Sequence, residues 1–334
     1  VKIIYLHSFT KDVFNNAFKE IVDGLKFNGV TVKKCPEKID YKTIKGHDVI
    51  ILDSLHIYRK KLKYSPIIVD KRVHTLKKGI FTMDFWIDLY SKGIINWIHD
   101  NKINDFVIFR HSSGLQLFER KFKLFKKAIE TKFTHDKFDI RTVCLDFKNA
   151  IFSPFTINSD VIKKTDKLIK KYDICFGGHM CVWYPLREKI FKSVVNSNKF
   201  LYLDPVWRRA DDAIKLKDKE LSPYYKGIAQ SWLSLATTGL ANISTRKHYE
   251  ICGLGSTCLG NHTGLFDHDI VKKNIVEIDI KMSENQICNK IEDALSDKNK
   301  LNYMVESTRE KILSEFDYRN VGKNLVKDLE KLYD

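Results

Sequence analysis

Arg246, Lys247 and Glu250 stand close together in the run Arg246-Lys247-His248-Tyr249-Glu250, and small residues follow at once in Ile251-Cys252-Gly253-Leu254-Gly255-Ser256. A glutamate four positions after an arginine shares a helix face with it. Such a pair has the chemistry to hold a nucleotide, the carboxylate on ribose hydroxyls and the guanidinium on a phosphate. Lys247, three positions before Glu250, is the alternative cation. The same spacing also serves an ordinary surface ion pair on an amphipathic helix stopped by glycine, and on these residues alone both readings stay open.

Other candidates stand where an apolar run ends. Gly177-Gly178 follows the strand-like Tyr172–Phe176 and precedes a helix, so the backbone there can approach a diphosphate and offer it N–H groups. Thr263 and Gly264, in the loop Asn261-His262-Thr263-Gly264-Leu265, can offer N–H groups in the same way. Asp84 closes the run Ile80-Phe81-Thr82-Met83 and has the chemistry of a general base. It equally suits the N-cap of a helix starting at Phe85-Trp86-Ile87. His7, Asp53 and His111 each follow a strand-like run, and His111 with Ser112-Ser113-Gly114 suits an acceptor or a phosphate. No Gly-x-Ser-x-Gly elbow, Walker A loop or Gly-x-Gly-x-x-Gly fingerprint occurs, which argues against a serine hydrolase, a nucleotide kinase and a dehydrogenase.

The elements that must position these residues alternate. Val1–His7, Val30–Val32, Asp48–Leu52, Gly79–Thr82, Phe106–Phe109 and Ile140–Leu145 read as strands, and 12–27 and 115–132 as helices. Continuous apolar strands separated by helices predict a parallel sheet covered on both faces. Asn149–Ser159, with Pro154, reads as a linker. A second alternation follows. Its strands are Tyr172–Phe176, Phe200–Leu203, Leu233–Ala236 and Ile275–Ile278. Its helices are 186–196, Tyr224–Leu233, 283–295 with Ser283 as N-cap, and a long stretch from Leu301 that breaks near Asp317. The expectation is two Rossmann-like domains, 1–155 and 156–334, with the final helix able to cross back to the first.

Composition narrows the class. The 334 residues suffice for two domains, and 43% hydrophobic with 30% charged residues describes a globular chain. No apolar run approaches the roughly 18 residues of a membrane helix. Val1 opens a strand-like run rather than a basic region with a cleavage site, so the expected location is the cytoplasm. The missing Met suggests a trimmed start. Seven scattered cysteines without zinc or thioredoxin spacing read as free thiols in a reducing compartment. The formal net charge is +16, of which residues 1–150 carry +12 and 151–334 carry +4. Such a field suits nucleic acid, acidic glycans or peripheral contact with a membrane surface. The AT-rich codon bias behind a Lys-, Ile- and Asn-rich chain accounts for it equally well.

From Tyr172 to Leu332 the sequence resembles the donor-binding half of GT-B glycosyltransferases: an acid on a helix, then a small-residue turn and a short strand. CgeB-like glycosyltransferases give the nearest pattern, and the phage DNA beta-glucosyltransferase a more distant one. The resemblance implies an α/β fold of two Rossmann-like domains facing a central cleft, the first for the acceptor and the second for a nucleotide sugar, UDP-linked. It implies Glu250 on the ribose, Arg246 on a phosphate, and Arg187, after Asp173-Ile174-Cys175-Phe176-Gly177-Gly178, neutralising the diphosphate. Arg187 also reads as a plain surface arginine opening a helix. The resemblance makes Asp84 the base of an inverting transfer to a glycan or glycoprotein hydroxyl. Many retaining members carry a second acid eight positions before the ribose-binding one; here that position is Asn242. Asp267-His268-Asp269 matches the metal signature of the other main glycosyltransferase fold and reads as coincidence, so no metal and no cofactor besides the sugar nucleotide are expected. The alternatives are transfer to a DNA base, a non-catalytic protein that binds nucleic acid or a membrane surface on a degenerate GT-B fold, and an acceptor-free sugar-nucleotide epimerase.

Overall fold

The computed structural model describes residues 1–7, 15–53, 67–82, 97–98, 100–109, 148–178, 184–195, 200–203, 222–238, 245–262 and 269–333. They form two units, one of Val1–Phe155 with Tyr318–Asp334, the other of Thr156–Asp317.

In the first unit the chain runs through β1 (Ile3–His7), α1 (Asn15–Phe27), β2 (Thr31–Lys34), β3 (Lys38–Ile39), α2 (Tyr41–Ile44), β4 (Val49–Asp53) and β5 (Ile67–Ile68). It continues through β6 (Lys77–Thr82), β7 (Phe106–Phe109) and β8 (Asn149–Phe152). Six of these strands make one sheet in the order β2-β1-β4-β6-β7-β8, every pair parallel. β3 and β5 pair separately, also in parallel. The apolar runs are continuous because both faces are covered. Ile4, Leu6, Ile50 and Leu52 enter one core, and Ile3, Tyr5, Val49 and Ile51 enter the other.

The second unit runs α3 (Ser159–Lys163), β9 (Tyr172–Gly177), α4 (Pro185–Val194), β10 (Phe200–Leu203), α5 (Pro223–Ala229), β11 (Ser231–Ala236) and α6 (Arg246–Gly253). It ends with β12 (Thr257–Gly260), α7 (Asp269–Lys273), β13 (Ile275–Glu277), α8 (Glu284–Ser296) and α9 (Lys298–Glu315). Its five strands are parallel in the order β10-β9-β11-β12-β13. Ile174, Phe176, Leu233, Leu235 and Leu259 meet Leu186, Ile190, Ile287 and Ile291 from the helices in its core. Ser283 caps α8, its hydroxyl accepting from Gln286 N while the Gln286 side chain accepts from Ser283 N.

The last helix, α10 (Tyr318–Lys331), belongs to the first unit. The long C-terminal stretch breaks at Asp317, whose carboxylate accepts from the backbone N (3.2 Å) and hydroxyl (2.5 Å) of Ser159. Val321, Leu325 and Leu329 of α10 then join Ile21, Val22 and Leu25 of α1 in the second core of that unit. Gly24 and Gly322 let the two helices touch: a Cβ on Gly24 would overlap the carbonyl oxygen of Tyr318.

Two stretches differ from the sequence expectation. Asn149–Phe152 is not linker but β8, the edge strand beside β7. An edge strand has one neighbour, and of its four residues only Ile151 is fully buried, so its apolar signal is faint. The helix expected over Tyr224–Leu233 stops at Ala229, and β11 begins at Ser231. Serines hide that strand: Ser231 donates to Gly227 O at 2.7 Å and Ser234 pairs with Ser256 at 2.9 Å, so both are buried without leaving a polar group unsatisfied. The strand expected over Ile140–Leu145 and the helix over 115–132 lie outside the described residues. Among the described residues, no helix is long and apolar enough to cross a membrane.

Candidate donor-nucleotide site

The second sheet reverses its strand order at β9, which has β10 on one side and β11 on the other. Connections leave the carboxyl ends of two such strands in opposite directions, and the crevice between them is where open parallel sheets bind ligands. The candidate residues gather there.

Gly177 ends β9, and Gly178 follows with φ +147°, a conformation that side chains with a Cβ rarely adopt. A Cβ on Gly177 would press on the Tyr224 ring at 2.7 Å. On Gly178 it would overlap Lys247 Nζ and lie 3.6 Å from Arg187 Nη1. Gly178 is therefore favoured by its backbone conformation, and Gly177 by the Tyr224 ring packed against it. Lys247 reaches the turn from α6 and donates from Nζ to the Gly177 carbonyl. Arg187, in the first turn of α4, is only 4% exposed and lies over the Tyr184 ring, its guanidinium carbon 3.7 Å from the ring centroid.

Glu250 stands one turn further along α6 and is 7% exposed. Arg246 Nε lies 3.0 Å from its Oε1. Tyr225 donates to Oε1 at 3.1 Å, and Tyr224 to Oε2 at 3.4 Å. Arg246 also donates to the Tyr225 hydroxyl at 3.4 Å. Both tyrosines open α5, which Ser222 caps by accepting from Tyr225 N and which Pro223 starts. His248 is fixed between two loops. Its Nδ1 accepts from Thr245 N at 3.1 Å, so Nε2 carries the proton and donates to Asn261 O at 2.9 Å. The Asn261 amide in turn ties β12 to Thr238 after β11, through bonds of 3.0 and 2.8 Å.

Burial governs the protonation states. It is the main reason the Lys247 ammonium is pulled down to about 7, the Arg187 charge adding to it while Glu250 opposes. Burial and then the Glu250 charge push the Tyr224 hydroxyl well up, so it stays a donor. Burial lifts the Cys175 thiol to about 12, which rules it out as a thiolate nucleophile at neutral pH.

The structure thus brings together Gly177, Gly178, Arg187, Arg246 and Glu250. It turns Arg246 toward the carboxylate and Tyr225, and sets Lys247 beside the glycine turn. Sequence reading missed Tyr224 and Tyr225; their only local signal is the capped start Ser222-Pro223. In the first unit, His7 and Asp53 end β1 and β4, the neighbours at which that sheet reverses its order. Burial, then Lys26 and Lys34, lower the His7 imidazole and keep it neutral near pH 7. Asp84, His111, Asn242, Thr263, Gly264, Asp267 and His268 lie outside the described residues.

Two parallel α/β units, each reversing strand order beside its first strand, are the architecture of the GT-B fold. Solved structures agree on the fold. The chain matches sucrose-phosphate synthase from Thermosynechococcus elongatus at TM-score 0.56 and 11% identity, over 100% of this chain and 99% of that one. It matches Anabaena HepE in complex with UDP and glucose at TM-score 0.52 and 7% identity, over 99% and 100%. HepE in complex with UDP-glucose matches at TM-score 0.51 and 8% identity, over 99% of both chains. No protein-family profile matches the sequence, and no curated protein matches it.

Proposed function

We propose that the protein is a glycosyltransferase that moves a sugar from a nucleotide diphosphate sugar, UDP-linked, to a hydroxyl of a glycan or glycoprotein. One observation carries the reading: a nearly buried acid, Glu250, and the cations Arg187, Arg246 and Lys247 converge where the second sheet reverses its order. A carboxylate accepts about four hydrogen bonds. Three partners approach Glu250, and the 3.4 Å bond from Tyr224 is a weak one, so ribose hydroxyls have room to compete. The cations stabilise the departing diphosphate. That HepE is a complex with UDP-glucose supports a UDP donor by analogy of fold alone. In the inverting displacement Asp84, two positions beyond the end of β6, takes the acceptor proton. Thr263 and Gly264 add N–H groups to the phosphates, and no bound metal takes part. Free thiols favour the cytoplasm: Cys252 and Cys258 stand 4.0 Å apart, buried and unbridged.

Thermal unfolding with a panel of nucleoside diphosphates and their sugars tests the donor site. A ligand at 100 times its Kd adds about 2.7 kcal/mol. We expect a shift for UDP-sugars in the wild type and none in Glu250→Ala; a shift that survives in Glu250→Ala removes Glu250 from the site. Asp84→Asn should abolish transfer and keep the donor shift.

The charge of residues 1–150 favours a second reading, transfer to a DNA base. Binding of duplex DNA that weakens steeply with salt would support it, whereas a neutral glycan acceptor is indifferent to salt.

A further inference from the structure

The two oxygens of the Glu250 carboxylate are not alike. Oε1 accepts from the Tyr225 hydroxyl at 3.1 Å and lies 3.0 Å from Arg246 Nε, so a hydrogen bond and an ion pair crowd it from both sides. Among the described residues, Oε2 meets the Tyr224 hydroxyl alone, at 3.4 Å, where a hydrogen bond is weak. An ionised carboxylate offers about four acceptor sites, shared between its two oxygens. Oε2 therefore keeps one site open and a second that is loosely held. It is also the oxygen on the side of the glycine turn, because the ring that reaches it is the ring packed against Gly177. That ring is held in place. Gly177 lies against one edge, and the Tyr225 ring flanks it at 5.8 Å, tilted by 44°.

We propose that Oε2 is the atom of Glu250 that reads the ribose, and that the two neighbouring tyrosines act on it in opposite senses. The inference rests on the donor-site reading above. Tyr225 is a positioning residue: together with Arg246 it anchors Oε1 and so aims Oε2. Tyr224 is a specificity-determining residue, whose hydroxyl holds a site that a vicinal diol needs. A ribose brings two hydroxyl donors. The first takes the open site on Oε2, and the second has to displace Tyr224. A 2′-deoxyribose brings one donor, which fits without displacing anything. The Tyr224 hydroxyl thus trims the preference for ribonucleotides that Glu250 creates. What it supplies in return is a partner for an acceptor on a residue only 7% exposed, where an unpaired oxygen is costly.

Isothermal titration calorimetry of the full chain decides it, with UDP and dUDP, GDP and dGDP, and ADP and dADP as paired probes. The wild type should prefer the ribo member of the pair it binds. Tyr224→Phe keeps the ring on Gly177 and removes only the hydroxyl. In that variant the ribo member should bind about threefold tighter, the net worth of a weak hydrogen bond, while the deoxy member stays unchanged. In Tyr225→Phe the ribo member should bind about tenfold weaker, because a carboxylate loses one of its firm donors, and the preference for it should shrink. A role in folding alone would weaken both members of a pair equally and leave their ratio where it was. A Tyr224→Phe protein whose ratio is unchanged or lower overturns the proposal and leaves the donor site standing. Equal binding of both members by the wild type does the same. No binding of any probe overturns the donor site and the proposal with it. If either variant fails to fold, the other decides through the same ratio.

Discussion

Lys247 is a partly buried residue whose amine holds the end of β9 to the start of α6, and its desolvation has a consequence for stability. Its folded-state pKa is depressed from 10.5 to about 7, so between those values the unfolded chain binds the extra proton and folding becomes more favourable as pH rises. The contribution is flat below pH 7, grows between 7 and about 10.5, and totals roughly a few kcal/mol. Lys247→Met has no such group. Urea midpoints of the two proteins at pH 6.5, 8 and 9.5 should show the wild type gaining on the variant at each step. A constant difference would mean that Lys247 keeps its proton in the folded chain. The sequence shows the Arg246–Glu250 pair because four-residue spacing is local. It does not show that Lys247, the next residue, goes to the glycine turn, because that partner is 70 positions away. The tyrosines that hold Glu250 lie 25 and 26 positions before it, and no helical period connects them.

Helices α1 and α10 meet through Gly24 and Gly322, and here two rules of element stability disagree in sign. Glycine inside a helix costs about 1 kcal/mol against alanine, so Gly24→Ala on an open helix would stabilise. At this crossing the new Cβ would overlap the Tyr318 carbonyl, and a Cβ on Gly322 would sit 2.5 Å from the Gly24 backbone. Backbone cannot move aside as a side chain can, and overpacking of this kind costs about 1–3 kcal/mol. We expect Gly24→Ala to lower Tm; a raised Tm would show that the helices part freely. Elements of this kind were only partly legible beforehand. Runs such as Ile3–Leu6 and Val49–Leu52 declare buried parallel strands because they are apolar on both faces. β8 escapes since an edge strand needs little apolar surface, and the start of β11 escapes because its buried serines look like helix or loop. The crossing itself joins positions nearly 300 residues apart and has no local signature.

Taken as a whole, the chain builds its first unit from both of its ends. The stripe Val321, Leu325 and Leu329 marks α10 as amphipathic, yet nothing in residues 318–331 says which sheet it covers; that follows only from which core has a face to fill. Each of these side chains is at most 2% exposed. Burying three such groups contributes about 5–9 kcal/mol, against about 5–15 for the total stability of a typical domain. Removing everything after Asp317 should therefore unfold the first unit and spare the second. The second keeps its own closing contacts, the bonds from Ser159 to Asp317 and the backbone bridge between Ile157 and Asp317. Hydrogen–deuterium exchange of the truncated chain reads the two units separately. Amides of β1 and β4 should exchange within the dead time, and those of β9 and β11 should keep the protection they have in the full chain. The residues of the proposed donor site lie in the second unit, so on that proposal nucleotide binding should persist in the truncated chain. Intact protection in β1 and β4 would mean that the sheet and α1 suffice for that core, and that α10 covers a face already stable without it.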